Sequence, residues 1–346
     1  MNKKIGIIGH FGGKHTFLDG QTVKTKILYE ELKECGFSNI YCVDTYYNKT
    51  NKLRLILESL KCLAICDAVI VLLSAPGLKV YLPMLYYAKK IRKIKIYHDV
   101  IGGNLAEKVK QNPKYVTYLN AIDSNWVEFS KMKEGLEELG IKNCDVVPNF
   151  KRLNSKGAIP APTDDGRYKF CMFSRVMKEK GMTDAIKAIA NYNKTHEKNV
   201  FLEIWGPIDD SYKDEFDGLL KEYGEHFSYM GCVDFDKSVE TLTDHIALLF
   251  PTFWYGEGFP GTIIDAYASA LPVIATDWNA NSELIRNFET GWVYPNDKIK
   301  TLSESIEYAV ENFDEMVAMR KNCSLFSTRY TPDFVMRRLV DKYLKD

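Results

Sequence analysis

An α/β fold of two doubly wound domains facing a central cleft is predicted from three features of the sequence. The chain has 346 residues, too many for one ordinary core and suited to two domains that each bury most of their apolar surface. Short apolar runs bounded by turn residues alternate with longer segments whose apolar residues recur three and four apart, which argues for βαβ units around parallel sheets. One stretch breaks that rhythm at mid-chain, "KRLNSKGAIPAPTDDGR" at 151–167, and its Pro, Gly, Ser and charge make it a linker.

In the first half, "KIGIIG" (4–9), "NIYCVD" (39–44), "DAVIVLLS" (67–74), "KIKIYH" (93–98) and "DVVPNF" (145–150) suit buried parallel strands. Between them, Val23, Ile27, Leu28 and Leu32, and then Leu53, Leu55, Ile56, Leu60 and Leu63, have helical spacing. After the linker, strands are expected at "YKFCMFS" (168–174), "VFLEIWG" (200–206), "FSYMGCV" (227–233), "IALLFPT" (246–252) and "LPVIATD" (271–277), with helices between. The domains are therefore 1–155 and 156–330, both Rossmann-like, and "TPDFVMRRLVDKYLKD" (331–346) predicts a terminal helix. In such sheets ligands bind outside the carboxyl ends of the strands.

Formal charge is zero, yet residues 1–150 hold 22 basic and 15 acidic side chains and the remainder 24 and 31, so the halves differ in sign. No stretch approaches the roughly 20 apolar residues of a membrane span, and two lysines lead directly into "IGIIGHF" without an export signal. The eight cysteines show no CxxC pair and no zinc spacing, which predicts reduced thiols in the cytoplasm. A nil net charge and the absence of a reader motif exclude nucleic acid as the expected partner.

"FSRVMKEKGMTDAIKAI" (173–189) supplies Arg175 and Lys180 just before a helical pattern that starts near Met182. Two cations beside a helix N-terminus make an anion site, because backbone N–H groups and the helix dipole add to their charge; the same residues would otherwise be an exposed turn. "YGEGFPGTIIDAYASALPVIATD" (255–277) puts Glu257 in a loop and Asp265 in the first turns of a helix, around a Gly-Pro-Gly turn. Pro260 fits a first helical turn, and Gly258 and Gly261 would permit unusual backbone angles and close approach to a ligand. A carboxylate such as Asp265 can accept both ribose hydroxyls, or merely complement the helix dipole. His98 ends a strand run and precedes Gly102 and Gly103, either facing a ligand or satisfied within the fold. His10 and His15 flank a glycine loop, but without a nearby Cys or acid cluster no metal site is expected.

Taken in order, Arg175, Lys180, "WGP" (205–207), "YMGCVDF" (229–235), Glu257 with Asp265 eight on, "PVIATDWNANSELI" (272–285) and "TGWVYP" (290–295) resemble the C-terminal half of glycosyltransferase family 4. The resemblance is specific over about 168–295; "HFGGKHTFLDGQTVKTKIL" (10–28) resembles that family's first loop, and "VVPNF" (146–150) the segment that ends its first domain. It implies a GT-B fold whose first domain takes the acceptor and whose second takes a nucleotide-diphosphate sugar, with the terminal helix crossing back to the first. It implies a retaining hexosyl transfer that needs neither metal nor cofactor, UDP-sugar being the favoured donor. In that reading the catalytic set is Glu257, Arg175, Lys180 and His98. Arg175 and Lys180 hold the diphosphate, Glu257 and His98 approach the donor sugar, and Asp265 takes the ribose. Gly12 and Gly13 bring first-loop N–H groups to the donor; Gly231, Cys232 and Val233 line the base; Gly206, Gly258, Phe259, Pro260, Gly261 and Thr262 complete the donor site. One departure is that the family's second acid is normally Glu, and Asp265 is one methylene shorter.

The expected product is a surface polysaccharide or glycolipid of bacterial type, built on a saccharide or lipid-linked saccharide acceptor. "YYAKKIRKIKIYH" (86–98) packs five cations among aromatics and aliphatics, a pattern that attracts anionic lipid headgroups. It makes the chain an expected peripheral protein on the inner face of the cell membrane. The rival readings are a sugar-nucleotide epimerase or inverting transferase of the same fold, and a non-catalytic nucleotide-sugar-binding partner of a transferase.

Overall fold

A computed structural model describes residues 3–15, 20–153 and 166–345. The polypeptide divides into two compact units, Met1–Arg152 with Tyr330–Asp346, and Leu153–Arg329. The first unit thus ends three residues before the boundary read from the sequence, and it reclaims the last segment of the chain. Most of the linker stretch, and residues 16–19 of the first loop, lie outside the described residues.

The first unit runs β1 (Ile5–Gly9), α1 (Gly20–Glu34), β2 (Ile40–Asp44), α2 (Lys52–Ile65), β3 (Ala68–Val71), α3 (Ala75–Ile91), β4 (Lys95–Asp99), α4 (Leu105–Gln111), α5 (Lys114–Ala121), β5 (Ser124–Val127), α6 (Ser130–Glu137) and β6 (Cys144–Val146). The strands form one parallel sheet in the order β2-β1-β3-β4-β5-β6. Strands β1 and β3 read as uninterrupted apolar runs because every residue in them is buried, as helices on both faces of a parallel sheet require. β5 breaks that code: its first two residues, Ser124 and Asn125, are polar yet buried. Asn125 is tolerated because its amide donates to Leu119 O and Asn143 Oδ1.

The second unit runs β7 (Arg167–Phe173), α7 (Met182–Thr195), β8 (Asn199–Trp205), α8 (Lys213–Tyr223), β9 (Phe227–Gly231), α9 (Ser238–Leu242), β10 (Ala247–Phe250), α10 (Gly261–Ala268), β11 (Val273–Thr276), α11 (Asn281–Leu284), β12 (Gly291–Tyr294), α12 (Leu302–Glu311) and α13 (Phe313–Ser327). Its sheet is parallel too, in the order β12-β11-β10-β7-β8-β9. Phe170, Ile204, Phe216, Leu249 and Trp292 sit in its core, and the Trp292 indole donates to Ser305 Oγ at 3.0 Å. Arg320 of α13 is also buried, its guanidinium donating to the carbonyls of His245 and Thr243.

The last element is α14 (Pro332–Leu339), capped by Thr331 and followed by a wider turn over Val340–Leu344. It closes the first unit. The Tyr97 hydroxyl donates to Tyr343 O at 2.7 Å, the Tyr343 ring packs on Tyr97 and Trp126, and Lys342 pairs with Asp145 at 2.6 Å.

Candidate active site

The second unit's sheet has its switch point between β7 and β10, where the chain turns back and builds on the other side of its first strand. In doubly wound sheets the crevice for a ligand opens there. Lys180 lies in the loop after β7 and Glu257 in the loop after β10, and the two side chains form an ion pair with both partners buried. Thr252 Oγ1 donates to the same carboxylate oxygen at 3.1 Å. The Lys180 ammonium also stands 4.9 Å from the Trp254 ring centre and 5.3 Å from that of Phe250, within reach of cation–π attraction to both.

The loop after β10 is tied in place by side chains that sequence reasoning did not single out. Asn279 donates to Glu257 O at 2.9 Å, the Trp278 indole to Trp254 O at 2.8 Å, and Thr276 Oγ1 to Thr252 O at 2.6 Å. Only the position of Thr252 and Thr276 at strand ends hinted at this. Phe253 N–H donates to Glu179 O, joining this loop to the one that carries Lys180.

Three glycines with positive φ allow these loops to approach one another: Gly181 (φ 76°), Gly206 (φ 132°) and Gly231 (φ 83°). A Cβ on Gly181 would lie 2.3 Å from Pro251 O, and one on Gly206 would lie 1.9 Å from Ser174 O. Gly206 N–H donates to Gly231 O, Val176 N–H to Pro207 O and Asp209 N–H to Val176 O. These bonds staple the segment bearing Arg175 to the end of β8. Arg175 itself is exposed at that rim.

Several expectations need correction. Gly258 and Gly261 do not adopt positive φ, because Pro260, extended at φ −73° and ψ 108°, occupies the cap position before α10 and starts the helix without a left-handed residue. Gly231 O accepts from Gly206 N–H at 2.8 Å, and Cys232, exposed, and Val233, half-buried, follow it. Asp265 is 2% exposed and accepts a 3.1 Å hydrogen bond from Ser238 Oγ at the start of α9. Its carboxylate is engaged within the protein, consistent with its shorter side chain. Phe259 is buried, while Thr262 Oγ1, in the first turn of α10, is buried without a protein partner.

The corresponding rim of the first unit holds the other predicted residues. Its switch point lies between β1 and β3, and Gly12 (φ 85°) and Gly13 (φ 60°) follow β1. The Gly13 N–H does not point outward as expected: it donates to Asp44 Oδ2 at 2.8 Å, while Phe11 N–H donates to Asp44 Oδ1 at 2.9 Å. Asp44 at the end of β2 therefore holds the loop. His10 Nδ1 is used by Thr22 Oγ1 at 2.6 Å, and the rings of His10 and His15 pack on Tyr46. Among the described residues no group of three or more His, Cys, Asp or Glu side chains is placed to hold a metal.

His98 is 1% exposed, with Nδ1 3.2 Å from Asn125 Oδ1 and Nε2 buried without a protein partner. Since an amide oxygen only accepts, Nδ1 carries the proton and Nε2 presents a lone pair. Burial pushes the imidazole down to about 4 against the weaker pull of Asn125, and the Lys24 charge adds to the shift. Beside it, Lys24 of α1 pairs with Asp99 at 2.7 Å and Glu128 at 3.0 Å, all three buried. Burial acts to lower the Lys24 ammonium, but the two carboxylates outweigh it and hold it above its usual value. This triad fixes α1 to the ends of β4 and β5; none of its members stood out in the sequence, and Glu128 follows a strand that polar Ser124 and Asn125 conceal.

Residues 159–324 match the family model described as glycosyl transferases group 1. The capsular polysaccharide biosynthesis glycosyltransferase CapM of Staphylococcus aureus is 24% identical over 216 residues, 62% of this chain. The chain spans half the length of that relative (50%). Among solved structures, Anabaena Alr3699/HepE in complex with UDP is similar over 98% of both chains, with a TM-score of 0.74 at 14% identity. Sucrose-phosphate synthase of Thermosynechococcus elongatus covers 99% of this chain and 98% of its own, with a TM-score of 0.73 at 14% identity. The fold is GT-B. The family match lies within the second unit, and the similar structures share the fold of the whole chain. The buried Lys180–Glu257 pair, Gly206, Gly231 and the Gly-Pro-Gly turn all fall inside the matched segment.

Proposed function

We propose that the chain is a retaining, metal-independent hexosyltransferase of glycosyltransferase family 4. It moves a sugar from a nucleotide diphosphate, UDP favoured, to the hydroxyl of a saccharide or lipid-linked saccharide during surface polysaccharide or glycolipid synthesis. The observation that carries the reading is the buried Lys180–Glu257 pair at the switch point of the second sheet. The hard step is departure of a diphosphate while positive charge grows on the sugar ring, and preorganised cations lower that barrier. Lys180, held by Glu257 and flanked by aromatic rings, is preorganised; Arg175, on the exposed rim of the same unit, supplies the second charge. Glu257 then faces the donor sugar, and Asp265 reaches ribose only by sharing its carboxylate with Ser238. His98 Nε2, with its lone pair free, accepts a sugar hydroxyl.

HepE and the pneumococcal O-GlcNAc transferase GtfA were solved with UDP, which favours UDP as the donor's nucleotide. The proposed location is the cytoplasm, peripheral to the inner face of the membrane, where a lipid-linked acceptor is presented; among the described residues no helix is long and apolar enough to cross a membrane. The test is turnover with the donor sugar. Arg175→Ala and Lys180→Ala should each lower kcat at least about 100-fold, with circular dichroism unchanged, and NMR of the product should give the donor's anomeric configuration. Near-normal kinetics in both variants would remove the cation clamp, and an inverted anomer would remove retention.

The engagement of Asp265 with Ser238 favours one alternative, a nucleotide-sugar-binding subunit without catalysis. Slow hydrolysis of the donor by the purified chain decides for an enzyme.

A further inference from the structure

Helix α2 turns much of its apolar surface outward. Its inner face is Leu55, Ser59, Cys62 and Leu63, but Leu53 (71% exposed), Leu57 (58%), Leu60 (48%) and Ile56 (40%) all meet solvent. Residues 53, 57, 60 and 64 recur at i, i+4, i+7 and i+11, so Leu53, Leu57, Leu60 and Ala64 form one continuous ridge along the helix. The helical spacing read from Leu53, Leu55, Ile56, Leu60 and Leu63 holds, and the helix is apolar on two sides. A ridge of this kind on a folded domain calls for an occupant.

Charge identifies the class of occupant. Arg54 and Lys61, seven residues apart, run along one flank of the ridge, and Lys52 begins the helix. Helix α2 has one acid, Glu58, and its carboxylate is bonded by the Tyr41 hydroxyl. The neighbouring α3 has none, but has Lys79, Lys89 and Lys90. The two helices lie side by side: Ser59 Oγ is 3.1 Å from Tyr81 Oη, and Arg92, after α3, donates to the carbonyls of Leu63 and Cys66 at the end of α2. Ile91 (86% exposed) and Tyr87 (58%) extend the apolar surface along α3. Among the described residues, Lys52, Arg54, Lys61 and Lys79 have no carboxylate partner, unlike Lys89 and Lys95, which share Asp123.

The basic stretch at 86–98 is thereby reassigned. Lys89, Arg92 and Lys95 are spent on Asp123 and on backbone carbonyls, within the unit. The cations without a carboxylate partner lie on α2 and α3, Lys61 over the Tyr41 ring and Lys90 over that of Tyr86.

From this we infer that the α2–α3 face of the first unit is a docking surface for an anionic lipid bilayer, with the ridge of α2 seated at the boundary between headgroups and acyl chains. A helix that lies in an interface has this composition: an aliphatic stripe, flanking cations and few acids. A protein interface is a poorer fit, since its centre is depleted in Lys and enriched in aromatic anchors, whereas this ridge is Leu and Ala with Arg54 and Lys61 along its flank. The inference deepens the membrane part of the proposed function, and donor binding is measured separately so that the two can fail independently.

Flotation of the full chain with phosphatidylglycerol–phosphatidylcholine vesicles and with pure phosphatidylcholine vesicles tests it. The expected result is recovery with the anionic vesicles only, falling as salt rises. Leu57→Glu with Leu60→Glu, and Arg54→Glu with Lys61→Glu, should each lower the bound fraction at least tenfold, while the melting temperature and the shift produced by UDP stay unchanged. All four side chains are on the exposed face, so folding survives. Equal flotation of the Leu57/Leu60 variant and the native chain overturns the inference, and so does a native chain that ignores both vesicles. A dimer in analytical ultracentrifugation that this variant turns into a monomer, without any vesicle binding, assigns the ridge to a second copy instead.

Discussion

Two buried basic side chains in this chain are treated in opposite ways. Lys180 is gripped by one carboxylate and two aromatic rings at a sheet's switch point, where an anion can be received. His98 is held neutral, its Nε2 lone pair unmatched. The second arrangement has a measurable cost in acid. The folded imidazole sits near 4 and an unfolded one near 6.5, so the unfolded chain takes up a proton first as pH falls. Stability due to a neutral His98 is complete above pH 6.5 and is lost between 6.5 and 4, by about 3 kcal/mol. Urea unfolding at pH 7 and pH 4.5 should therefore show a smaller acid loss for His98→Gln than for the native chain; equal losses would show that other groups dominate the acid limb.

Legibility followed burial. Strands such as β1, β3 and β10 were readable because all their residues are apolar and buried. β5 was not, since Ser124 and Asn125 are polar and kept inside by hydrogen bonds from distant segments. The cations and acids of the candidate site were visible as residues at strand ends. Their mutual geometry was not: nothing local indicates that Asp265 turns to Ser238, that Gly13 gives its N–H to Asp44, or that Leu53 and Leu60 face outward. Among the glycines, spacing pointed to Gly258 and Gly261, while the conformational demand falls on Gly181, Gly206 and Gly231. Gly206 is the sharpest case, because its backbone and the Ser174 carbonyl leave no room for a side chain. Gly206→Ala should destabilise the second unit by about 2–3 kcal/mol, read from the urea midpoint, and weaken UDP binding by displacing the Arg175 segment; an unchanged midpoint would mean that β8 yields at no cost.

Each unit is a complete parallel sheet with its own switch point, and the matched family segment, 159–324, falls wholly in the second. Nucleotide recognition is therefore expected to follow the second unit's chemistry. A thermal-shift series with UDP-, GDP-, ADP- and dTDP-sugars should give its largest shift with the UDP sugars, a ligand at a hundred times its dissociation constant adding about 2.7 kcal/mol of apparent stability. Equal shifts for all four would show that the diphosphate alone is read.

The segment from Tyr330 onward gives the molecule a particular order of assembly. The second unit is a single uninterrupted piece of chain, whereas the first lacks α14, the Tyr343 ring beside Trp126 and the Lys342–Asp145 pair until the chain beyond the second unit has been made. Of the two units, the one whose strands are made earlier is thus completed after the other. A product cut before Tyr330 would leave an intact second unit joined to a sheet whose flank had never been sealed.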